Sequence, residues 1–294
     1  MVMTIETHGL TKRYRSQKGQ PAISELDINV PKGILYGLIG PDGAGKTTTL
    51  RILSTVIKQT GGTARVAGFD TRKEAEKARS KIGYMPQAFS LYPDLSVIEN
   101  LNFFADLNGV PVNRRETRID ALLDFARLDR FRGRRSANLS GGMRKKLTLA
   151  CALVHEPEVL LLDEPTTGVD PVSRRELWLI LAEVVQQGVT ILVTTPYMDE
   201  AERCNQVSVL YNGKILTSGS PAEMEADLPF EVLEVRAWPR RVFRQVIENP
   251  SRSNGILRWR PVGDRVRFST PHLKKTQRWI RSELKSAGAK IDIC

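Results

Sequence analysis

The chain has 294 residues, of which 41% are hydrophobic and 26% charged, as in a globular protein with one large domain, alone or beside a small one. No apolar run approaches the roughly 18 residues needed to span a bilayer, and the amino terminus lacks the features of a signal peptide. Cys151, Cys204 and Cys294 form no metal or redox spacing. These observations predict a cytoplasmic protein that works at a membrane only through a partner.

The net charge of +11 is concentrated near the carboxyl terminus. Residues 229–294 carry 15 Lys and Arg against 6 Asp and Glu, whereas residues 1–228 carry 29 against 27. A solvated basic surface, anionic lipid head groups and an acidic partner subunit all fit this basic segment. Nucleic acid is the least favoured partner, because no nucleic-acid-binding motif accompanies the charge.

Short apolar runs alternate with helical patterns along most of the chain. The runs, rich in Val, Ile and Leu, suit strands buried on both faces and cover 34–40, 158–163, 189–195 and 206–210. The helical patterns cover 46–57, 143–154 and 173–187. Such alternation predicts an α/β domain with a mostly parallel sheet.

Two stretches depart from this alternation. Between Pro93 and Phe131 amphipathic helical patterns follow one another without strands, which indicates a helical subdomain inserted at about 93–155. From residue 229 the patterns run strand, helix, strand, strand, helix, strand, at 230–238, 240–248, 255–262, 265–269, 276–288 and 290–294. This order predicts a small ferredoxin-like α+β domain. We therefore expect two domains, 1–228 and 229–294.

The segment GPDGAGKT fits the pattern G-x-x-x-x-G-K-[ST], after an apolar strand and before a helix. Glycines in this pattern let successive backbone N–H groups face a phosphate, and the helix adds its positive N-terminal end. We expect Lys46 to neutralise β- and γ-phosphate oxygens and the Thr47 hydroxyl to ligate Mg²⁺. The nucleotide-binding residues predicted here are Gly40, Pro41, Asp42, Gly43, Ala44, Gly45, Lys46, Thr47 and Thr48.

A buried strand ending in Asp163 and Glu164 supplies a second half of the site. Asp163 is placed to hold Mg²⁺ through water, and Glu164 is a candidate general base that polarises the attacking water. Asp-Glu after a strand is a weak signal alone and a strong one when paired with the upstream phosphate loop.

The segment LSGGM at 139–143 opens a helix. Ser140 and the backbone N–H groups of Gly141 and Gly142 form an anion-binding helix start. Because a single nucleotide does not need two such sites in one domain, we expect this one to serve a nucleotide held by another subunit.

Together these motifs resemble the nucleotide-binding subunit of an ABC transporter over residues 4 to about 228. The segments GYMPQ, LYPDLSVIENL, TTGVDP and YMDEAE are similar to bacterial multidrug-export ATPases. The segments GPDGAGKTT and SRRELW resemble the first, amino-terminal half of tandem, YbhF-like export ATPases, in which 294 residues make up half of a double-length chain.

The resemblance implies roles for three further residues. Tyr14 stacks on adenine, Gln87 senses Mg²⁺ and water in a loop that contacts the membrane subunit, and Asp170 lies in a loop that crosses a dimer interface. It also implies ATP with Mg²⁺ and integral membrane permease subunits as partners. A further implied partner is a second ABC ATPase domain, which lies in the same chain as a tandem repeat or in a second copy as a homodimer. The resemblance places the protein in the cytoplasm, at the inner face of the cell membrane. The segment after 228 looks like a small accessory domain.

The chain departs most from this resemblance at Pro196, in VTTPYMDEA. The family has a switch histidine here that hydrogen-bonds the γ-phosphate. Because proline has no side-chain donor and no backbone N–H, we expect ATP binding with hydrolysis slowed on the order of 10²–10³. The alternative is that Thr194 or Thr195 replaces the histidine and activity is ordinary.

Two smaller departures are Asp42 and Met143, which replace the commoner asparagine and glutamine of the family. The leading prediction is an ATP-binding, energy-coupling subunit of an ABC exporter of drugs or other small molecules, with an ATPase activity that is low in isolation. One alternative is a non-transport ABC ATPase acting on nucleic acid or the ribosome, for which the basic tail speaks weakly. Another is a regulatory ATP-binding module without turnover.

Overall fold

The computed structural model describes residues 2–14, 19–88, 90–239, 241 and 256–293. The chain divides into two compact units, Met1–Met224 and Glu225–Cys294. The boundary predicted at residue 228 lies a few residues inside the second unit, and the assignment of domains to these spans stays a prediction. Within the described ranges, no helix is both long enough and apolar enough to cross a membrane.

An antiparallel sheet of four strands opens the first unit. β1 (Met3–Lys12) pairs with β2 (Ile23–Pro31) and β4 (Gly61–Val66), and β4 also pairs with the short β5 (Phe69–Asp70). Every second residue of LDINV in β2 is buried, the period of a strand with one face in the core. This sheet was not predicted, although the alternation of buried and exposed positions in β2 indicates such a strand.

A six-stranded sheet forms the centre of the first unit. Its spatial order is β10 (Lys214–Gly219), β9 (Gln206–Tyr211), β3 (Leu35–Ile39), β8 (Thr190–Thr195), β7 (Val159–Asp163) and β6 (Ile82–Met85). Only the β10–β9 pair is antiparallel, which confirms the mostly parallel α/β core. Because parallel strands end at the same edge, the loops after β3, β6, β7 and β8 meet there.

Among the described residues up to 226 there are eight helices, the last of which spans the boundary between the two units at Met224 and Glu225. They are α1 (Lys46–Leu53), α2 (Ala75–Arg79), α3 (Val97–Leu107), α4 (Val112–Phe125), α5 (Gly141–Leu153), α6 (Pro171–Gln186), α7 (Met198–Ala201) and α8 (Pro221–Ala226), with 3₁₀ turns at Asp129–Phe131 and Ser136–Asn138. The helix predicted over 46–57 was too long. It ends at Leu53 because the backbone of Thr55 turns into the left-handed region, with φ of 63°.

Two hydrophobic cores lie against opposite faces of the central sheet. Along β7, Leu160 and Leu162 pack with the helices α3 to α6, whereas Val159 and Leu161 pack with the antiparallel sheet and α1. This alternation buries both faces of the strand, as its continuous apolar sequence predicts. The sheet edge that carries the loops is thereby held between two packed layers.

The second unit contains its own antiparallel sheet and core. Its elements are β11 (Glu231–Trp238), β12 (Arg258–Val262), β13 (Arg265–Thr270), α9 (Leu273–Ser286) and β14 (Lys290–Ile293), with the spatial order β12-β13-β11-β14. The first strand thus lies between the third and fourth, as in split βαβ modules. The helix predicted at 240–248 falls outside the described residues, apart from Arg241.

Candidate nucleotide-binding site

A cavity of about 400 Å³ lies where the loops of the central sheet meet. Its lining residues are Tyr14, Ala22, Asp42, Gly43, Gly45, Lys46, Thr47, Thr48, Gln87 and Glu164. Residues predicted from the phosphate loop, the adenine position, the Gln87 loop and the strand end at Glu164 therefore line one space. Ala22 also lines it, and no sequence motif marks that residue.

The backbone of the phosphate loop needs its glycines. At Gly45 φ is 112°, and a Cβ there would lie 2.5 Å from Ile23 Cγ2 and 2.7 Å from the Ala22 carbonyl oxygen. At Gly40 a Cβ would lie 2.1 Å from the Leu210 carbonyl oxygen. Only glycine fits both positions, and α1 begins directly after Gly45, so its unpaired N–H groups face the loop.

Lys46 is buried at the mouth of this loop. Its Nζ donates to the carbonyl oxygens of Gly40 (2.8 Å) and Pro41 (3.1 Å). It also lies 3.2 Å from Glu164 Oε1 and 3.8 Å from Asp42 Oδ1. Two loop carbonyls and two carboxylates thus hold the ammonium where phosphate oxygens would meet it.

Thr47, Asp163 and Gln87 provide oxygen atoms of the kind that bind Mg²⁺. The Thr47 hydroxyl donates to Asp163 Oδ1 (3.1 Å), as does the Thr194 hydroxyl (2.8 Å). Burial raises the pKa of Asp163, and these two hydrogen bonds oppose that rise. A hydroxyl, a carboxylate and the amide oxygen of Gln87 are hard donors of the kind that Mg²⁺ prefers, so the residues fit this ion.

Glu164 is fixed by its neighbours as a general base would have to be. Its Oε2 accepts hydrogen bonds from Gln87 Nε2 (2.9 Å) and the Thr167 hydroxyl (3.2 Å). Its backbone N–H donates to Thr194 Oγ1 (3.0 Å), and its φ of 48° is uncommon for a residue with a side chain. Thr167 was not predicted as a site residue. Its position, three residues after the candidate base Glu164, was the only signal in the sequence for this contact.

A lysine on α5 supports the Gln87 loop from behind. Lys145 is buried and donates from Nζ to the Gln87 carbonyl oxygen (3.1 Å). Burial lowers the pKa of Lys145, while the charges of Asp163 and Glu164 act in the opposite direction. No role was predicted for Lys145, because the helical pattern of α5 does not show which loop its side chain contacts.

Pro196 follows β8 beside the phosphate loop. The N–H of Gly40 donates to the carbonyl oxygen of Thr195 (3.3 Å), which places the two loops next to each other. The hydroxyl of Thr194 is used by Asp163, and that of Thr195 donates to Glu200 Oε2 (2.5 Å). Both threonines are fully buried, and each hydroxyl already donates to a carboxylate of the protein. This argues against either hydroxyl replacing the histidine as a donor to the γ-phosphate.

The remaining predicted residues lie together, but they do not line the cavity. Ser140 caps α5 by accepting from the N–H of Met143 (3.2 Å), and Asp170 caps α6 by accepting from Val172 N–H (3.1 Å). A Cβ on Gly142 would lie 2.2 Å from Ser173 Oγ, so the two helix starts touch. Ser140, Gly141, Gly142 and Asp170 form a second cluster, separate from the residues that line the cavity.

Known relatives match most of this chain. A family model described as ABC transporter matches residues 23–167. The chain is 43% identical over 261 residues to the probable multidrug ABC transporter ATP-binding protein YbhF of Escherichia coli, covering 88% of this chain and 45% of that protein. It is 41% identical over 233 residues to the daunorubicin/doxorubicin resistance ATP-binding protein DrrA of Streptomyces peucetius, covering 79% and 70%. It thus spans less than half the length of YbhF.

Solved ATP-binding cassettes share the fold. The dimeric, post-hydrolysis cassette MJ0796 bound to ADP and Pi has a TM-score of 0.68 and 26% identity, covering 74% of this chain and 98% of that one. CbiO1 of Clostridium perfringens has a TM-score of 0.70 and 26% identity, covering 86% and 97%. With the 41% identity to DrrA, these findings confirm the resemblance and the fold class. The chain belongs to the ABC transporter ATP-binding family.

Proposed function

We propose that this chain is the energy-coupling, ATP-binding domain of an ABC exporter of drugs or other small molecules, and that hydrolysis at its own phosphate loop is slow. The observation that carries the proposal is the contrast inside one site. Every group expected to hold ATP is present, whereas Pro196 offers no donor where the switch histidine of the family stands.

The bound state would use the residues as follows. The loop N–H groups and Lys46 would hold the phosphates, and Tyr14 would stack on the adenine. Thr47, Asp163 and Gln87 would hold Mg²⁺, which neutralises charge on the transferring phosphoryl group. Glu164 would polarise the attacking water.

The missing donor acts only on the chemical step. A histidine stabilises charge on the γ-phosphate as water attacks, so its loss slows hydrolysis on the order of 10²–10³ and leaves ATP binding intact. Slow rather than absent turnover follows, because Lys46, Glu164 and Gln87 remain in place.

A second ABC ATPase domain completes the site in this proposal. The cluster of Ser140, Gly141, Gly142 and Asp170 would contact a nucleotide bound by that domain, in a tandem chain or a dimer. A chain with one weak loop and an intact LSGGM is most useful beside a competent partner, whose site it completes. Permease subunits would receive the closure through the Gln87 loop and the helices α3 and α4.

The test measures binding and turnover separately. We expect the 294-residue chain to bind Mg²⁺–ATP by calorimetry, with ATPase activity near background. Joined to a second domain that carries a switch histidine, it should support turnover that falls when Ser140 is replaced by Arg in this chain. Failure to bind Mg²⁺–ATP would refute the proposal, and rapid hydrolysis by the chain alone would refute its slow step.

The basic unit supplies a membrane-facing surface in the same proposal. Exposed cations on α9 recur at spacings of four, three and four residues, and they are Lys274, Arg278, Arg281 and Lys285. This spacing places them on one side of the helix as a basic ridge about 16 Å long. The ion pairs described in this unit join other arginines, namely Arg236, Arg265 and Arg267.

Anionic lipid head groups are the partner that the basic ridge fits at the inner face of a membrane. Replacing all four ridge cations by Gln should weaken binding to anionic vesicles by about 10²–10³-fold at low salt, since each contributes about 1 kcal/mol. The control replaces four exposed cations of the first unit, Lys58, Arg72, Lys73 and Lys214, by Gln. Binding to duplex DNA or RNA at physiological salt, and not to vesicles, would favour the non-transport alternative.

A further inference from the structure

A buried carboxylate lies directly behind the switch loop. Glu200 belongs to the short α7, which follows Pro196, and its side chain is 0% exposed. Its Oε1 accepts from the Thr166 hydroxyl (2.7 Å), Arg174 Nε (2.7 Å) and Trp178 Nε1 (3.2 Å). Its Oε2 accepts from the Thr195 hydroxyl (2.5 Å). Four donors therefore converge on one side chain, three of them from residues more than 20 positions away in the sequence.

These donors belong to three functional elements. Thr166 lies on the segment between the candidate base Glu164 and Asp170, Arg174 lies in the first turns of α6, and Thr195 ends β8. A carboxylate this deeply buried is costly unless charge and hydrogen bonds compensate it, and Arg174 supplies the opposite charge. Because so many partners share Glu200, its position is fixed, and it fixes theirs.

The backbone around residue 196 is held on both sides by this network. Thr195 Oγ1 donates to Glu200 and accepts from the N–H of Tyr197 (3.0 Å), which closes a turn around the proline. The guanidinium of Arg174 lies 4.8 Å from the centre of the Tyr197 ring. These contacts come from the residues on either side of Pro196 and from Arg174, so the turn is held without any contribution from the side chain at position 196.

We propose that Glu200 is a positioning residue for ATP hydrolysis. It fixes the backbone of residue 196 beside the phosphate loop, so that a histidine side chain at that position would reach the γ-phosphate. The bonds from Thr166, Arg174 and Trp178 hold Glu200 itself in place. The proposal rests on the proposed function, in which residue 196 is the defective part of an otherwise complete site.

The experiment uses Glu200→Gln in two backgrounds, the natural Pro196 chain and Pro196→His. Glutamine keeps the volume but removes the charge opposite Arg174, and it replaces one of the two accepting oxygens by an NH₂ group, so the Thr195 hydroxyl and the other donors can no longer all be accepted. The matched control is Asp199→Asn, because Asp199 also pairs with Arg174 (2.9 Å), yet its side chain is 69% exposed. The second test variant is Thr195→Val, which removes the hydroxyl that donates to Glu200 Oε2.

In the Pro196→His background, we expect Glu200→Gln and Thr195→Val each to lower kcat about tenfold or more, with KM for ATP changed less than about threefold. Asp199→Asn should leave both constants nearly unchanged. In the Pro196 background, Glu200→Gln should have little effect on the residual turnover, because it acts through residue 196. A kcat loss of the same size in both backgrounds, or a parallel rise in KM, would overturn the proposal.

A second measurement does not depend on hydrolysis. Amide exchange in a peptide covering residues 194–201 should become about tenfold faster in Glu200→Gln and not in Asp199→Asn, since the Tyr197 N–H loses its fixed acceptor. Unchanged exchange would refute the role of Glu200. A Pro196→His chain without turnover would instead count against the proposed function, and the exchange result would still decide on Glu200.

Discussion

The phosphate loop after β3 and the switch loop after β8 lie side by side, joined by the hydrogen bond from the Gly40 N–H to the Thr195 carbonyl oxygen (3.3 Å). The phosphate loop works mainly through its backbone, since Gly40 and Gly45 allow a path that no other residue could follow. In the proposed function, the switch loop would work through the one side chain at position 196, which its backbone supports.

This difference explains how a single substitution affects the site unevenly. In the switch loop, Thr195 and Tyr197 keep the turn closed whatever the side chain of residue 196 is. In the proposed function, the support therefore persists while the contact with the γ-phosphate is lost. In the phosphate loop, the support and the chemistry are the same atoms, so damage to one should remove both.

The largest expected effect comes from restoring the side chain of the switch loop. Pro196→His should raise single-turnover hydrolysis of Mg²⁺–ATP on the order of 10²–10³, since one donor to the transition state is regained. The Kd for ATP should change little. The control is Pro196→Ala, which restores the N–H alone and should leave turnover low. Equal gains in both variants would mean that the backbone donor, and not the imidazole, matters.

The next effect concerns the cation of the phosphate loop. Lys46→Ala should weaken ATP binding about 10²-fold, because a buried charge is lost where the triphosphate would sit. Calorimetry measures this change, and Lys58→Ala, an exposed lysine on the same unit, is the control. If Lys46→Ala bound ATP as tightly as the natural chain, the loop N–H groups alone would account for affinity.

A third prediction separates the two kinds of glycine within the loop. Gly45→Ala should cost about 2–5 kcal/mol, because its Cβ would meet Ile23 and Ala22 at a φ of 112°. Gly43→Ala should cost only about 1–2 kcal/mol, since its φ of 78° is unfavourable but its Cβ would face open space. Denaturant unfolding of both variants measures the difference, and equal losses would contradict the description of the loop.

The sequence predicted what depends on local pattern. A glycine motif between an apolar strand and a helix locates the phosphate loop, because the backbone path is encoded in consecutive residues. Apolar runs predicted the parallel strands β3, β7, β8 and β9 for the same reason, whereas the short parallel strand β6 was missed. Helix ends were less certain, since the left-handed turn at Thr55 has no local sequence signal.

The sequence did not predict what depends on distant parts of the chain. Glu200 receives donors from Thr166, Trp178 and Thr195, and only the packing of α6 and β8 brings these together. Nothing in YMDEAE marks which acidic residue is buried. In the same way, the contact from Lys145 to the Gln87 loop follows from the placement of α5 against the sheet.

The smallest expected effect tests the electrostatics of the metal-binding position. Burial raises the pKa of Asp163, so its protonated form stabilises the folded chain. This stabilisation is fully present below the ordinary aspartate pKa and is lost as pH rises through the folded-state pKa. At neutral pH Asp163→Asn should therefore raise the Tm of the nucleotide-free chain by a few degrees, the usual scale for a single substitution in a domain of this size. The same variant should lose the further Tm increase that Mg²⁺ gives in the presence of ATP.

Asp170→Asn is the control of opposite sign, because hydrogen bonds from the backbone N–H groups of Ser173 and Val172 lower the pKa of Asp170. A lower Tm for Asp163→Asn would show that the bonds from Thr47 and Thr194 outweigh the cost of burying its charge.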